Sequence, residues 1–386
     1  MRSRVSRSCC AVTKSTLQKF PEHRYANSCS GAMVIAISTL WTTSERRPAM
    51  RSALLSAPGK PLEIVEREVP EPGPGEILVK VTACGMCFSE INHLRGHYAF
   101  GTFPVVPGHE ISGVVAALGA GVGWPAVGTR VGAAWPYGSC GHCDQCVRGD
   151  QILCGELPRQ VTGVNRDGGY GEYFVGRSGF VTPLPDGLDP VAGAPLMCAG
   201  ITAFNGLRQA GAVAGSKVAV LGTGGVGMMA VRFAAAMGAR VAVVSRSRRA
   251  EDEARRFGAE QFVATAEEDP AGALRAWGGA DVIMNTAPDT GTGLAAFGGL
   301  RPDGTLLYLG FGAANVEVPP AALVSNRLRV MGVPSGSPHD LRDTLDFAVA
   351  HGIVPEVTTV PLDDAPRILT DMDAGVHRGR AVIAFG

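Results

Sequence analysis

The chain lacks an excess of charge of either sign. Thirty-five Lys and Arg balance 35 Asp and Glu over 386 residues, so a basic field suited to nucleic acid or anionic lipid is absent. Charged residues make up only 18% and aromatics 6%, while hydrophobic residues reach 46%, which excludes a disordered polyelectrolyte. Long apolar runs are missing too. The stretch "GAMVIAISTLW" at residues 31–41 is far short of the roughly 20 residues a membrane span needs. What is abundant is glycine, 52 residues of it, in a chain long enough for two domains with cores of their own. Tight turns and small-molecule chemistry are therefore expected, with neither nucleic acid nor membrane as a partner.

The first 49 residues differ from the rest. "MRSRVSRSCCAVTKSTLQKFPEHRYANSC" is rich in Arg and Ser, poor in acids and without hydrophobic period. Residues 1–49 read as a disordered tail without function or as a start placed too early, more than as a transit peptide. From Met50, "MRSALLSAPGKPLEIVEREVP" alternates like strand between Gly and Pro turns, and "EILVKVTACGM", "GTRVGAAW" and "GGYGEYFVG" continue a β-rich pattern. Past residue 200 the texture changes. "KVAVLG", "RVAVVS", "ADVIMNTA" and "GTLLYLG" are strands set between helical stretches such as "GVGMMAVRFAAAMGA", which predicts a doubly wound parallel sheet. The expected fold is thus α/β, with a β-rich domain over 50–200 completed by 335–386 and a cofactor-type domain over 201–334.

The first strand-to-helix turn of that second part reads "VLGTGGVG". Gly222, Gly224 and Gly227 form G-x-G-x-x-G, with Gly225 and Val226 opening the helix. Such glycines permit a tight turn and close approach of a pyrophosphate to a helix N-terminus, although a glycine-rich turn can also exist without a ligand. At the end of the next strand an acid would normally hold a ribose 2′-hydroxyl. Here stand Ser245, Arg246, Ser247, Arg248 and Arg249. Hydroxyls and guanidinium groups suit a 2′-phosphate, so NADP(H) is favoured over NAD(H), the alternative being a solvated basic helix start.

The ten cysteines are unevenly placed, and Cys140, Cys143, Cys146 and Cys154 fall within fifteen residues, "CGHCDQCVRGDQILC". Disulfides across two-residue gaps gain little, whereas four thiolates can close a tetrahedral structural zinc site. An iron–sulfur cluster and reduced spectator thiols are the competing readings. A looser set flanks this loop: Cys87 in "ACGMCFSE", His109 and Glu110 in "PGHE", and Cys198 in "LMCAGITAF". Three ligands from distant segments leave one position open, as a catalytic zinc requires, but a lone His and a core Cys fit the same residues.

Taken in order, "PGHE", the four-cysteine loop, "LMCAGITA" and "GTGGVG" resemble the zinc-dependent medium-chain alcohol dehydrogenases from about Met50 to Gly386. That resemblance implies a GroES-like catalytic domain split around a Rossmann domain, and two zinc ions per chain. Cys87, His109 and Cys198 would hold the catalytic ion with Glu110 nearby, and Cys140, Cys143, Cys146 and Cys154 the structural one. It further implies that Ser89 hydrogen-bonds the substrate oxygen, that Thr202 lies near the nicotinamide, and that Arg380 reaches the pyrophosphate. The Ser245–Arg249 stretch is similar to the NADP(H)-preferring branch that includes cinnamyl alcohol dehydrogenases. A cytoplasmic homodimer or homotetramer acting on a small alcohol or aldehyde is then expected.

Departures from the family pattern follow Cys87, where this chain has Phe88, Ser89, Glu90, Ile91 and Asn92. Phe88 cannot contact a pyrophosphate. Glu90 keeps a supporting carboxylate one methylene longer than Asp, and Asn92 cannot shuttle a proton as His does. Phe88 and Trp135 are expected to make the pocket wall apolar, which suits an aliphatic or aromatic substrate. A zinc-free quinone or enoyl reductase on the same fold, or a non-enzymatic zinc module, are the rival readings.

Overall fold

The computed structural model describes residues 48–287, 289–310, 315–377 and 379–386. Almost all of the expected N-terminal tail, residues 1–47, lies outside the described residues. The first strand among the described residues is β1 (Ala49–Leu54), antiparallel to β2 (Glu63–Glu68), and it starts one residue before the Met50 expected from the sequence. The β-rich part continues through β3 (Glu76–Gly85), β4 (Glu110–Leu118), β5 (Arg130–Ala133), β6 (Tyr173–Arg177) and β7 (Val181–Pro183). Then come β8 (Lys217–Leu221), β9 (Arg240–Ser245), β10 (Ala259–Ala264), β11 (Ala280–Asn285), β12 (Leu300–Tyr308) and β13 (Arg329–Gly332). Two last strands, β14 (Val357–Val360) and β15 (Arg380–Ala384), return to the first part.

These strands form two large sheets. The first has the order β14-β15-β3-β4-β5-β7 with β6 against β3, antiparallel except between β14 and β15. The second runs β10-β9-β8-β11-β12-β13, parallel throughout. In its own chain order that is 3-2-1-4-5-6, the doubly wound arrangement whose crevice lies where the order reverses, between β8 and β11.

Burial explains why the second set of strands reads as continuous apolar text. Val218, Val220, Val241, Val243 and Met284 pack into one core, while Ala219, Leu221, Ala242, Val244 and Ile283 pack into another on the opposite face. Both faces are covered, so alternation with polar residues is not needed. The first sheet buries Ile77, Val79, Val81, Ile111 and Ile383 in a separate core.

Four helices position the functional residues: α1 (Phe88–Leu94), α2 (Ala199–Gln209), α3 (Gly225–Ala236) and α4 (Pro338–Ala350). The expected boundary at 200/201 falls inside α2, which packs against α3 of the parallel-sheet lobe while its N-cap is Cys198. Among the described residues no single helix is long and apolar enough to cross a membrane. One bent pair, Pro190–Met197 with Ala199–Gln209, passes on length and composition together, and its Leu196, Met197, Ile201 and Leu207 are buried in the core.

Candidate active site

Two groups of metal-type side chains assemble. Cys87 is the N-cap of α1, His109 and Glu110 stand at the entry of β4, and Cys198 is the N-cap of α2. One ligand atom from each of these four residues lies within 4.8 Å of the others. His109 and Glu110 are fully buried, Cys87 and Cys198 partly so. The second group, Cys140, Cys143, Cys146 and Cys154, meets the same distance limit. His142, inside that loop, is exposed and faces the Cys140 carbonyl rather than the thiols.

Both groups fit a zinc ion on their geometry. Zn–S bonds of about 2.3 Å in a tetrahedron place two sulfurs about 3.8 Å apart. Cys87 Sγ and Cys198 Sγ are 3.9 Å apart, and Cys140 Sγ and Cys146 Sγ 3.8 Å. His109 supplies a further sign. Its Nδ1 lies 2.6 Å from Glu90 Oε1, whereas its buried Nε2 makes no hydrogen bond among the described residues. A buried nitrogen without a partner costs about 1–3 kcal/mol, which a cation beside the two thiols would offset. In the second loop the backbone supports the sulfurs, since Cys140 N–H donates to Cys154 Sγ and Cys143 N–H to Cys140 Sγ, each at 3.4 Å.

Electrostatics couple the first group tightly. Cys198 beside it, with His109, holds the Cys87 thiol well below its usual range, and the same contact pushes Cys198 well up. Burial raises Glu110 to about 7 despite the opposing charge of Arg380. Arg380 Nη2 donates to both Glu110 carboxylate oxygens, so the buried acid does not stand alone. Glu90 does two jobs in support: its Oε2 accepts from Cys87 N–H at 2.8 Å, and its Oε1 faces His109. The longer side chain therefore still reaches both Cys87 and His109. Ser89 Oγ is 3.6 Å from Cys87 Sγ, and Trp135 sets its ring edge-on to His109 with centroids 5.0 Å apart. Phe88 is largely exposed at the start of α1.

The glycine turn lies on the other side of Arg380 from Glu110. Gly222, at the end of β8, has φ +100°, and a Cβ on Gly227 would come within 2.1 Å of the Gly222 carbonyl oxygen. A Cβ on Gly224 would meet nothing within 4 Å, so the N-cap of α3 opens into free space, while one on Gly225 would meet Arg380 Nη1 at 2.7 Å. Val226 follows in the first turn of α3 and packs against the core of this lobe. Arg380 thus touches the turn and the metal-type group at once. Thr202 is buried one turn into α2, its N–H donating to the Cys198 carbonyl at 2.9 Å. An open helix N-terminus beside a half-buried guanidinium fits a dinucleotide pyrophosphate.

At the end of β9, Ser245 Oγ is 3.4 Å from Thr223 Oγ1. The sequence reading missed Thr223, yet the signal was present: β8 and β9 pair in parallel with Leu221 opposite Val244, so the residues just past them must meet. The arginines differ from one another. Arg248 is taken up by Glu251, Glu267 and Glu268, while Arg246 and Arg249 are exposed and have no ion pair among the described residues.

Comparison with known proteins finds alcohol dehydrogenases across most of the chain. The family described as "Alcohol dehydrogenase GroES-like domain" matches residues 73–186, and "Zinc-binding dehydrogenase" matches residues 225–350. An alcohol dehydrogenase of Aspergillus sp. is 38% identical over 87% of this chain and 98% of its own. The NADP-dependent alcohol dehydrogenase C of Mycobacterium bovis is 36% identical over 76% of this chain and 86% of its own. Among solved structures, a cinnamyl alcohol dehydrogenase from Sorghum bicolor superposes with a TM-score of 0.78 at 30% identity, covering 87% of this chain and 97% of that one.

Proposed function

The chain belongs to the zinc-dependent medium-chain alcohol dehydrogenases, and on that footing we propose that it moves hydride between NADP(H) and an apolar or aromatic alcohol, aldehyde or ketone. The observation that carries this reading is the Cys87–His109–Cys198 group, with its unpartnered buried Nε2, joined through Arg380 to the glycine turn. Cys87, His109 and Cys198 would hold a catalytic zinc with Glu110 beside it, and Cys140, Cys143, Cys146 and Cys154 a structural one, two ions per chain. Bound zinc supplies Lewis acidity toward a substrate oxygen, and bound nicotinamide supplies or receives the hydride.

The chain's own residues do the remaining work. Glu90 accepts from Nδ1–H of His109 and so leaves the lone pair on Nε2. Ser89 holds a proton at the substrate oxygen, close to Cys87. Arg380 neutralises Glu110 and extends along Gly225 toward a pyrophosphate lying on the N-terminus of α3. Thr202 would border a bound nicotinamide, and Phe88 and Trp135 would make the pocket wall apolar. Ser245, Thr223, Arg246 and Arg249 receive the 2′-phosphate, a reading supported by the NADP-dependent relative from Mycobacterium bovis.

The lobes proposed for these duties are 50–200 with 335–386 for the substrate and 201–334 for the cofactor. Strand β13 is a largely exposed edge of the parallel sheet, and pairing there with a second copy would give the homodimer from which a homotetramer can grow. Seven unpaired cysteines among the described residues suit the reducing cytoplasm. The test is kcat/KM for NADPH and for NADH over a panel of aliphatic and aromatic aldehydes. NADPH should be favoured at least about tenfold, and a preference for NADH would defeat the cofactor assignment.

A further inference from the structure

Thr286 is the first residue past β11, so it stands at the crevice where the strand order of the parallel sheet reverses, beside β8. Asn285, just before it, pairs with Leu221 at the end of β8. Two donors of Thr286 then converge on one acceptor: its N–H reaches the Leu221 carbonyl at 3.0 Å, and its hydroxyl donates to the same oxygen at 2.8 Å. The other polar group of that peptide unit, the N–H of Gly222, donates to the Val244 carbonyl of β9 at 2.9 Å. The Leu221–Gly222 peptide is therefore tied on both sides, to β11 and to β9.

The hydroxyl also fills space. A Cβ on Gly222 would come within 2.9 Å of Thr286 Oγ1 and one on Gly227 within 3.0 Å, so Oγ1 occupies the notch that these two glycines leave. Asn285 is fully buried and fixes the segment in turn, since its Nδ2 donates to the Asp289 carbonyl at 3.1 Å and its Oδ1 accepts from Ala287 N–H at 3.3 Å. Gly222 needs such a pin. With φ +100° and no side chain, it lets the peptides beside it rotate at little cost unless their polar groups are held. A turn free to rotate would offer the N–H groups of α3 to a pyrophosphate in many arrangements, and ordering them on binding would lower affinity.

We propose that Thr286 is the positioning residue of the glycine turn, holding it from the β11 side so that the N-terminus of α3 is arranged for a pyrophosphate before any cofactor arrives. It acts through Leu221 and the turn, not by contact with the ligand. The inference rests on the cofactor role given to the turn above. Because the pyrophosphate is common to both nicotinamide cofactors, Thr286 serves the two alike, unlike Ser245 and Arg246.

Thr286→Val keeps the shape and removes the hydroxyl, whereas Thr286→Ser keeps the hydroxyl; should the valine variant not fold, Thr286→Ala takes its place. Titration of nicotinamide fluorescence should show Thr286→Val binding NADPH and NADH about three- to tenfold more weakly, with the ratio of the two unchanged. ADP-ribose, which has the pyrophosphate but no nicotinamide, should lose by the same factor, read by its displacement of bound cofactor. Thr286→Ser should bind like wild type. In protein without cofactor, amide hydrogen exchange across residues 221–228 should be faster in Thr286→Val than in wild type or Thr286→Ser. Affinities unchanged in Thr286→Val, or weakened equally in Thr286→Ser, would overturn the proposal, as would a turn that exchanges as in wild type. Wild-type protein that binds neither cofactor would defeat the reading of the turn as a cofactor site instead, and its exchange would still decide whether Thr286 holds it.

Discussion

At Ser245 a hydroxyl stands where a carboxylate would repel a phosphate, and the proposed preference for NADP(H) can be tested at that position. Ser245→Asp should weaken NADPH about ten- to a hundredfold in kcat/KM while leaving or improving NADH, because one substitution both repels the 2′-phosphate and accepts from a 2′-hydroxyl. Arg246→Ala should harm NADPH alone. Arg248→Ala should leave the ratio of the two unchanged, since Arg248 is already held by three glutamates. Equal losses for both cofactors in Arg246→Ala would reduce the basic stretch to a solvated helix start. Glu90 makes the second case. It accepts from the backbone of Cys87 and faces the ring of His109, the two proposed zinc ligands it adjoins, so Glu90→Gln should weaken zinc retention by about 10- to 100-fold, measured by competition with a chelator. Retention equal to wild type would mean that the His109 orientation is set elsewhere.

At the scale of elements, what could be read from the sequence was whatever depends on local chemistry. Strands β8, β9 and β11 are runs of Val, Ala, Ile and Met because both faces are covered, and the glycine turn follows from the space its backbone needs. The four-cysteine loop is legible for a similar reason: its ligands come from one short segment. Side chains that meet through tertiary packing were harder to see. Arg380 was expected at a pyrophosphate, but its bond to Glu110 depends on β15 pairing with β3 next to β4, a register no local pattern announces. The turn itself offers a test at this scale. Gly227→Ala drives a Cβ against the Gly222 carbonyl, which is backbone and cannot swing away, so α3 must shift from the turn. A destabilisation of about 1–3 kcal/mol and a clear loss of affinity for both cofactors are expected, read by thermal melting and by nicotinamide fluorescence titration.

On the proposed reading, the molecule as a whole divides its cysteines between a catalytic and a structural site. The four-cysteine loop is tied to the far end of the chain, because Ile152 N–H donates to Ser337 Oγ at 3.0 Å and Ser337 caps α4 together with Asp340. Helix α4 packs against α2, whose N-cap is Cys198. Loss of order in the loop therefore reaches the frame between the lobes, while loss of one ligand in the Cys87 group leaves that frame standing. The measurement that tests this account most directly is the zinc content, by elemental analysis, of wild type, Cys87→Ser and Cys140→Ser, with turnover and Tm taken on the same samples. The account predicts about two zinc per chain in wild type and about one in each variant. Cys87→Ser should be inactive with a Tm close to wild type, and Cys140→Ser should melt at least about 5 °C lower. Turnover retained in Cys87→Ser, or a wild-type protein that purifies without zinc, would contradict it.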